Sequence, residues 1–162
     1  MSGFAQLPAV LARLEKTVVA FERDAAPLAA HAIREHIARD FANSVNAAGE
    51  SLLPYGAAWG MTKRELGLRL NRGQAGGGIL SALRAAKSVA RVARDTAVIN
   101  PELANATSPY PKSLGGAKSV NRYMGHYSRR KANSNLMAVS GDAATAAEKV
   151  LNLHLDELLK KV

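Results

Sequence analysis

The stretch that decides the fold reads LAAHAIREHIARDFANSV and runs from Leu28 to Val45. Its apolar residues recur at steps of three and four positions, which is the period of an amphipathic helix. The same spacing extends towards the N-terminus, so the chain from Pro8 to about Ala48 reads as helix with one continuous apolar face. The residues of this face are Val10, Leu11, Leu14, Val18, Phe21, Leu28, Ala32, Ile33, Ile37, Phe41 and Val45.

Pro27 interrupts this helical pattern. A proline inside a helix lacks the backbone N–H that would bond to the preceding turn, and its ring clashes with that turn. We therefore expect long N-terminal helices with a kink or a break between Asp24 and Pro27, where Asp24 can cap the second helix. The second helix, over about residues 26–46, carries the stronger signal.

The C-terminal section predicts a further helix from Asp142 to Val162. Asp142 is the expected N-cap, and Ser140 with Gly141 marks the boundary between loop and helix. Lys160 and Lys161 suit the negative end of the helix dipole.

The middle of the chain predicts a small antiparallel sheet. Two short apolar runs, Val89–Val92 and Ala97–Ile99, flank a turn near Arg94–Asp95. Further upstream, Thr62 to Asn71 is typical of a short basic helix, whereas Ile79 to Leu83 fits either a short helix or a strand. These elements together indicate an α+β fold.

The length of 162 residues fits a single domain that spans residues 1–162. Within it, residues 100–140 contain three prolines and show little periodicity, so we expect an extended basic loop or arm. A segment of this kind inside a compact domain usually binds something or becomes ordered on assembly.

The composition limits the possible classes of protein. Hydrophobic residues make up 48% of the chain but aromatic residues only 5%, which indicates a modest core of the sort that a partner subunit often completes. The absence of cysteine excludes disulfides and thiolate metal sites. Neither a signal peptide nor a membrane-spanning window is recognisable, so we expect synthesis inside the cell and no membrane partner.

The net charge of +9 is concentrated in one part of the chain. Residues 51–141 hold fourteen basic residues against three acidic ones, a net charge of +11, while residues 1–50 and 142–162 each carry a net charge of −1. An acidic or polyanionic partner near the middle of the chain would explain this asymmetry, although a solvated basic surface would also account for it.

No pattern in the sequence indicates an enzyme. The glycine cluster GQAGGGIL, residues 73–80, lacks the Lys-Ser/Thr pair of a phosphate-binding P-loop. His31 and His36 each stand one helical turn before a carboxylate, Glu35 and Asp40, and we interpret these pairs as surface salt bridges and not as a metal site. We therefore expect no catalytic residue, no cofactor and no bound metal.

The segment KSVNRYMGHYSRRK, residues 118–131, interleaves cations with two tyrosines. Cations that meet phosphates and aromatic rings that stack on bases are typical of backbone binding to nucleic acid. The same composition fits an arm that docks onto an acidic protein surface, and nothing here marks a sequence-specific reader. The candidate contacts with DNA or a partner are Lys112, Lys118, Arg122, Tyr123, Tyr127, Arg129, Arg130 and Lys131.

Several short motifs resemble a known family. The helical sequence HIARDFANSVNAAG, residues 36–49, is followed by a P-x-G-x-x-W segment made of Pro54, Gly56 and Trp59. With the closing pattern NLMAVSGDAATAAEKVLNLHL, residues 135–155, this order is similar to the tail-completion and neck proteins of tailed bacteriophages, the phage virion morphogenesis or minor tail protein Z-like group. The resemblance covers about residues 30–160. The glycine-rich connection after Trp59 and the basic stretch 112–131 depart from the family pattern.

The resemblance implies a structural protein of the virion that assembles in the host cytoplasm as a homo-oligomeric ring. A ring of six or twelve subunits would lie between the portal-side connector and the tail, near channel DNA. The family has no catalytic residues to carry over, and Trp59 would anchor its loop in the core or at a subunit contact. The alternative function is that of a nonspecific nucleic-acid-binding accessory protein.

Replacement of Arg129, Arg130 and Lys131 by alanine tests the alternative function. If the basic arm binds phosphates, the triple variant will bind DNA or RNA more weakly, and its affinity will depend less steeply on salt because fewer counterions are released. Titrations at several salt concentrations measure both quantities. Unchanged affinity and salt dependence would rule out this role for the three residues.

Overall fold

The computed structural model describes residues 6–51, 61, 64–65, 67, 78–100, 107–108, 118–119 and 137–162. This part of the chain contains three helices with defined ends, helical residues at Met61, Arg64 and Glu65, and two antiparallel strand pairs, which confirms the α+β prediction. In chain order they are α1 (Leu7–Ala42), α2 (Gly78–Arg84), a 3-10 turn (Ala86–Ser88), β1 (Val89–Ala93), β2 (Thr96–Ile99), β3 (Thr107–Ser108), β4 (Lys118–Ser119) and α3 (Gly141–Leu159).

The first helix, α1, continues through Pro27 as one helix of 36 residues, so the expected break is wrong. Pro27 removes a single hydrogen bond, while packing against the other elements stabilises the helix on both sides of it. Asp24 therefore caps nothing, and its carboxylate instead accepts hydrogen bonds from Arg23 at 2.7 and 2.9 Å. Pro8 lies in the first turn, where the N–H it lacks has no helical partner.

The core lies between the C-terminal part of α1 and α2. Phe41 and Leu83 are almost completely buried there, and Ile99 of β2 packs against the same cluster. The stretch with the strongest helical period therefore supplies half of the core. The other members of this cluster are Ile37, Ala38, Leu80 and Ala82.

The hairpin of β1 and β2 forms as expected, with its turn at Arg94–Asp95. Val89 pairs with Ile99, and the register shifts between Arg91 and Ala93. The buried Ser88 hydroxyl donates to the Leu83 carbonyl at 2.9 Å, which fixes the base of the hairpin to the end of α2. Ile79 to Leu83, left open between helix and strand, is helical.

A second strand pair lies within the segment predicted as an arm. Thr107 pairs with Ser119 and Ser108 with Lys118, so at these four positions the backbone forms a short antiparallel ladder and not a loop. Two-residue strands produce no periodicity, which is why the sequence did not reveal them. Most of the predicted Thr62–Asn71 helix lies outside the described residues; Met61, Arg64 and Glu65 are helical.

The C-terminal helix, α3, begins one residue earlier than predicted. Its N-cap is Ser140 and not Asp142, because the Ser140 hydroxyl accepts the Ala143 N–H at 3.1 Å. Asp142 lies in the first turn, where a carboxylate still meets the positive end of the dipole. The helix packs along α1 through the small buried side chains of Ala143 and Ala147. None of the described helices has the length and apolar character needed to cross a bilayer.

Asn46, just after α1, is a buried polar residue that organises the following turn. Its side-chain oxygen accepts the N–H groups of Ala48 and Glu50 at 3.0 and 2.9 Å, and its amide donates to the Glu50 carboxylate at 2.8 Å. Ser44 has a φ of 58°, so the chain reverses sharply between α1 and this turn.

Replacement of Asn46 by alanine removes these three hydrogen bonds and leaves the N–H groups of Ala48 and Glu50 without their acceptor. We expect the free energy of unfolding to fall by about 1–3 kcal/mol, measured by urea denaturation. Asn43→Ala is the matched control, because Asn43 is exposed three residues earlier and its variant should change stability by less than about 0.5 kcal/mol. Equal losses in the two variants would contradict this role of Asn46.

Candidate interaction surface

Most of the residues singled out from the sequence lie outside the described part of the chain. This holds for the motif Pro54, Gly56 and Trp59 and for the candidate contacts Lys112, Arg122, Tyr123, Tyr127, Arg129, Arg130 and Lys131. Lys118 alone is placed, by its backbone, in β4 opposite Ser108. The roles of these residues stay predictions.

The described residues form an open groove between the middle of α1, the hairpin turn and α3. Its volume is about 610 Å³. Successive turns of α1 supply its floor, mostly as alanines, and charged side chains stand at its rim. The residues that line it are Phe21, Glu22, Ala25, Ala26, Ala29, Arg94, Asp95 and Leu151. A groove of small apolar side chains suits the close approach of another chain.

The rim of the groove is held by contacts of the hairpin turn. Arg94 donates to the Glu22 carboxylate, which joins the turn to α1. Because the Arg94 side chain is 67% exposed and that of Glu22 47%, water screens the pair and its contribution to stability is at most about 1 kcal/mol. Arg91 donates to the carbonyls of Ala93 and Arg94 at 2.9 and 2.8 Å and so stiffens the turn itself.

Beside the groove, a group of charged and aromatic side chains joins α1 to α3. The hydrogen bond from Arg23 lowers the pKa of Asp24, and the nearby charges of His154 and Arg91 lower it further. The His154 ring stacks on Phe21 with 6.1 Å between centroids. Its Nε2 lies 3.7 Å from Asp24 Oδ2 and has no hydrogen-bond partner among the described residues. These contacts set the position of α3 along α1.

The salt bridges predicted for His31 and His36 do not form. Glu35 instead accepts a hydrogen bond from Arg34, and the buried Arg34 side chain also donates to the Ala85 carbonyl at 3.1 Å. Arg34 is the next residue to Glu35 in the sequence and takes the place of His31 as its partner. The Arg34 side chain is buried because the end of α2 packs against α1 at this point. In the described ranges, no group of three or more histidine and carboxylate side chains is arranged to hold a metal ion.

The N-terminal half of α1 exposes large apolar side chains on the face that continues into the groove. We call Leu7, Leu11, Leu14 and Val18 the apolar row; their exposed fractions are 50, 55, 37 and 55%. Leu11, Leu14 and Val18 belong to the apolar face predicted from the sequence, whereas Leu7 lies before the predicted start of the helix at Pro8. No other described element covers these four side chains. The sequence did not predict the groove, because the alanines that form its floor contribute little to a hydrophobic pattern.

His31 gives the stability of the fold a predictable dependence on pH. Burial lowers the pKa of His31, and the positive charge of Arg34 lowers it further. The unfolded chain therefore takes up a proton at a higher pH than the folded chain does, and the free energy of unfolding falls as the pH drops below about 6.5.

Urea denaturation between pH 5 and 7.5 measures this dependence. His31→Gln should flatten it, because the variant has no proton to take up at that position. His36→Gln, which leaves His31 in place, should keep the contribution of His31. A His31→Gln variant with the pH dependence of the unaltered protein would show that His31 does not cause it.

Comparisons with known proteins identify no relative whose function could suggest a role for this chain. No family model, curated protein or solved structure matches the chain. What the surface can do follows from its own chemistry: an apolar row, an alanine-floored groove and a charged rim, all on or beside α1.

Proposed function

We propose that the protein is a structural component of the neck of a tailed bacteriophage. It forms a homo-oligomeric ring that completes the tail and joins it to the head connector. The observation that carries the proposal is the apolar row, since a contiguous exposed apolar surface on a soluble domain marks a site of contact with another protein. The resemblance of the sequence motifs to neck and tail-completion proteins is the reason for placing this contact in a phage neck.

The apolar row favours assembly on energetic grounds. Full burial of a leucine or valine side chain contributes about 1.5–3 kcal/mol, so side chains left about half exposed give up roughly 1 kcal/mol each. A neighbouring subunit that covered the row would recover this free energy at every side chain. The isolated chain does not do so with any of its described elements.

The shape of the described part also suits a subunit of a larger assembly. α1 is about 54 Å long, yet the main core lies only at its C-terminal end. A modest core of this kind is often completed by partner subunits. The α1 and α3 pair then acts as a scaffold, and the exposed half of α1 as the part that meets a neighbour.

The charge distribution fits the same proposal. Residues 51–141 carry a net charge of +11, whereas the segments that hold most of α1 and α3 carry −1 each. In a neck ring the basic part would face channel DNA or acidic surfaces of neighbouring proteins. This basic charge equally favours the second candidate function, nonspecific nucleic-acid binding, which the salt titration of the Arg129, Arg130 and Lys131 variant tests directly.

The proposal predicts ring-shaped particles of defined mass and incorporation of the protein between connector and tail. Electron microscopy and native mass measurement of the purified protein test the first, and analysis of assembled virions tests the second. Leu11→Glu should reduce assembly, because it places a charge in the apolar row. A protein that stays monomeric and is absent from virions would overturn the proposal.

Leu153→Glu is the matched control for this variant. Leu153 lies on α3, outside the row and outside the groove lining, and is 55% exposed like Leu11. Circular dichroism of the two variants shows whether both keep the helical fold. An equal loss of assembly in the two variants would show that exposed apolar area in general, and not the row, drives association.

A further inference from the structure

The hairpin of β1 and β2 exposes apolar side chains on the face that points away from the core. Alternate residues of a strand point to opposite sides, and the pair of Val89 and Ile99 lies on the inner side, where Ile99 packs against the core. Ala90 and Val98 form the next pair and therefore lie on the outer side. Val92, two residues beyond Ala90, is 60% exposed, and Val98 is 38% exposed. We call Ala90, Val92 and Val98 the outer face of the hairpin.

A ring needs two different contact surfaces on every subunit. When two copies meet through the same patch, the contact closes at a pair, whereas a ring forms when one patch meets a different patch of the neighbour. The apolar row of α1 is one such patch, and the outer face of the hairpin is a second one on another element. The two patches are alike in length, since the row and the five residues of β1 each span about 17 Å.

We infer that the apolar row of each subunit is covered by the outer face of the hairpin of a neighbouring copy. The inference rests on the proposed function and deepens it, because it names the surface of the neighbour that covers the row. Each subunit then offers its row to one neighbour and its hairpin to the other. Repetition of this one contact passes from copy to copy, which is what a ring requires.

The apolar row is bordered by carboxylates. Glu15 lies four residues after Leu11 and Glu22 four residues after Val18, so both stand on the next turn of the same side of α1. Arg94 of the same chain already donates to Glu22. Glu15 is exposed and forms no ion pair within the described part of the chain, so it is available to a base of a neighbouring copy.

The two bases of α1 nearest to the apolar row lie on other sides of the helix. Lys16 is two residues from Leu14 and from Val18, which places it on the far side of α1. Arg13 donates to the Val162 carbonyl at 2.9 Å and therefore lies against the end of α3. The row thus has an acidic border, although the chain as a whole carries a net charge of +9.

The hairpin and the turn before it carry the opposite charge. Residues 84–100 hold four basic residues against one acidic residue, a net charge of +3. All five side chains belong to exposed residues: Arg84, Lys87, Arg91, Arg94 and Asp95. An apolar face on a basic element fits an apolar row with an acidic border, because the charges around the contact attract each other while the apolar side chains leave water.

The exposed apolar side chains of the C-terminal section fit the apolar row less well. Met137 and Val139 precede the first turn of α3, where Asp142 would bring a further carboxylate to the acidic border. Leu153 and Leu159 are six residues apart on α3, so they do not share a face of the helix. The outer face of the hairpin therefore complements the row better than these surfaces do.

Two variants that each alter one surface test the contact. Leu11→Glu places a charge in the apolar row, and Val92→Glu places one in the outer face of the hairpin. Each variant alone should sediment as a monomer, with a dissociation constant raised more than about tenfold, because the contact would bury an unpaired carboxylate. An equimolar mixture should give a mixed dimer and nothing larger, since the intact row of the Val92→Glu chain meets the intact hairpin of the Leu11→Glu chain.

The outcomes of this mixing experiment are decisive in both directions. Assembly of Val92→Glu like that of the unaltered protein would overturn the inference, and so would a mixture that gives no dimer. The control Leu153→Glu should assemble as the unaltered protein does. Both altered side chains are exposed in the single chain, so circular dichroism should show an unchanged fold for each variant.

The chain has no cysteine, so introduced thiols report the contact without background. Leu14→Cys lies in the apolar row and Val98→Cys on the outer face of the hairpin. A short bismaleimide should join the two chains when they are mixed, and each variant alone should give no crosslinked dimer. Self-crosslinking of Leu14→Cys would show that the row meets another row and would overturn the inference, as would the absence of a mixed crosslink.

Reversal of the charge of Glu15 tests the acidic border. Glu15→Arg, added to the Val92→Glu chain, should raise the dissociation constant of the mixed dimer about two- to fivefold, because the arginine would face a basic hairpin. Lys16→Glu in the same chain is the matched control and should not weaken the dimer, since Lys16 lies on the far side of α1. Equal weakening by the two substitutions would contradict the contact.

These results separate the inference from the proposed neck function. Rings or virion incorporation without the mixed dimer would overturn the inference and leave the function standing. A mixed dimer from the two variants, with unaltered chains that form open filaments and enter no virion, would overturn the function and leave the contact standing.

Discussion

Phe41 of α1 and Leu83 of α2 lie almost fully buried in one cluster, and the position of the hairpin depends on that packing. The contact fixes the end of α2, where the buried Arg34 side chain donates to the Ala85 carbonyl. The hairpin begins directly after this point, and Ser88 bonds it back to Leu83. Because β1 and β2 leave the core in a set direction, their turn arrives beside the middle of α1 and forms one wall of the groove.

The two halves of α1 therefore use the same kind of apolar face in different ways. The C-terminal half buries it against α2 within the chain, whereas the N-terminal half leaves its leucines in contact with water. The helix α3 contacts α1 at Arg13, at Asp24 and at Phe21, whose ring stacks on that of His154. An apolar face free of that contact is available to another molecule, which is the physical basis for proposing a subunit of an assembly.

Charge has a secondary part in this arrangement. The exposed Arg94 and Glu22 pair adds little stability in water, although it joins the hairpin turn to α1. The basic charge of residues 51–141 is separate from this surface and concerns a different contact, with an acidic protein face or with nucleic acid.

The sequence by itself determined the helical period of α1, the hairpin around Arg94–Asp95 and the loop-to-helix boundary at Ser140, because period and turn chemistry are local properties. Only the tertiary structure decided that α1 continues through Pro27, that Asn46 is buried and that the apolar row stays exposed. A single sequence shows that a face is apolar but not what covers it, since coverage depends on where distant segments return. The alanine-floored groove is the clearest case: α1, the hairpin turn and α3 form it together, and no one of them predicts it.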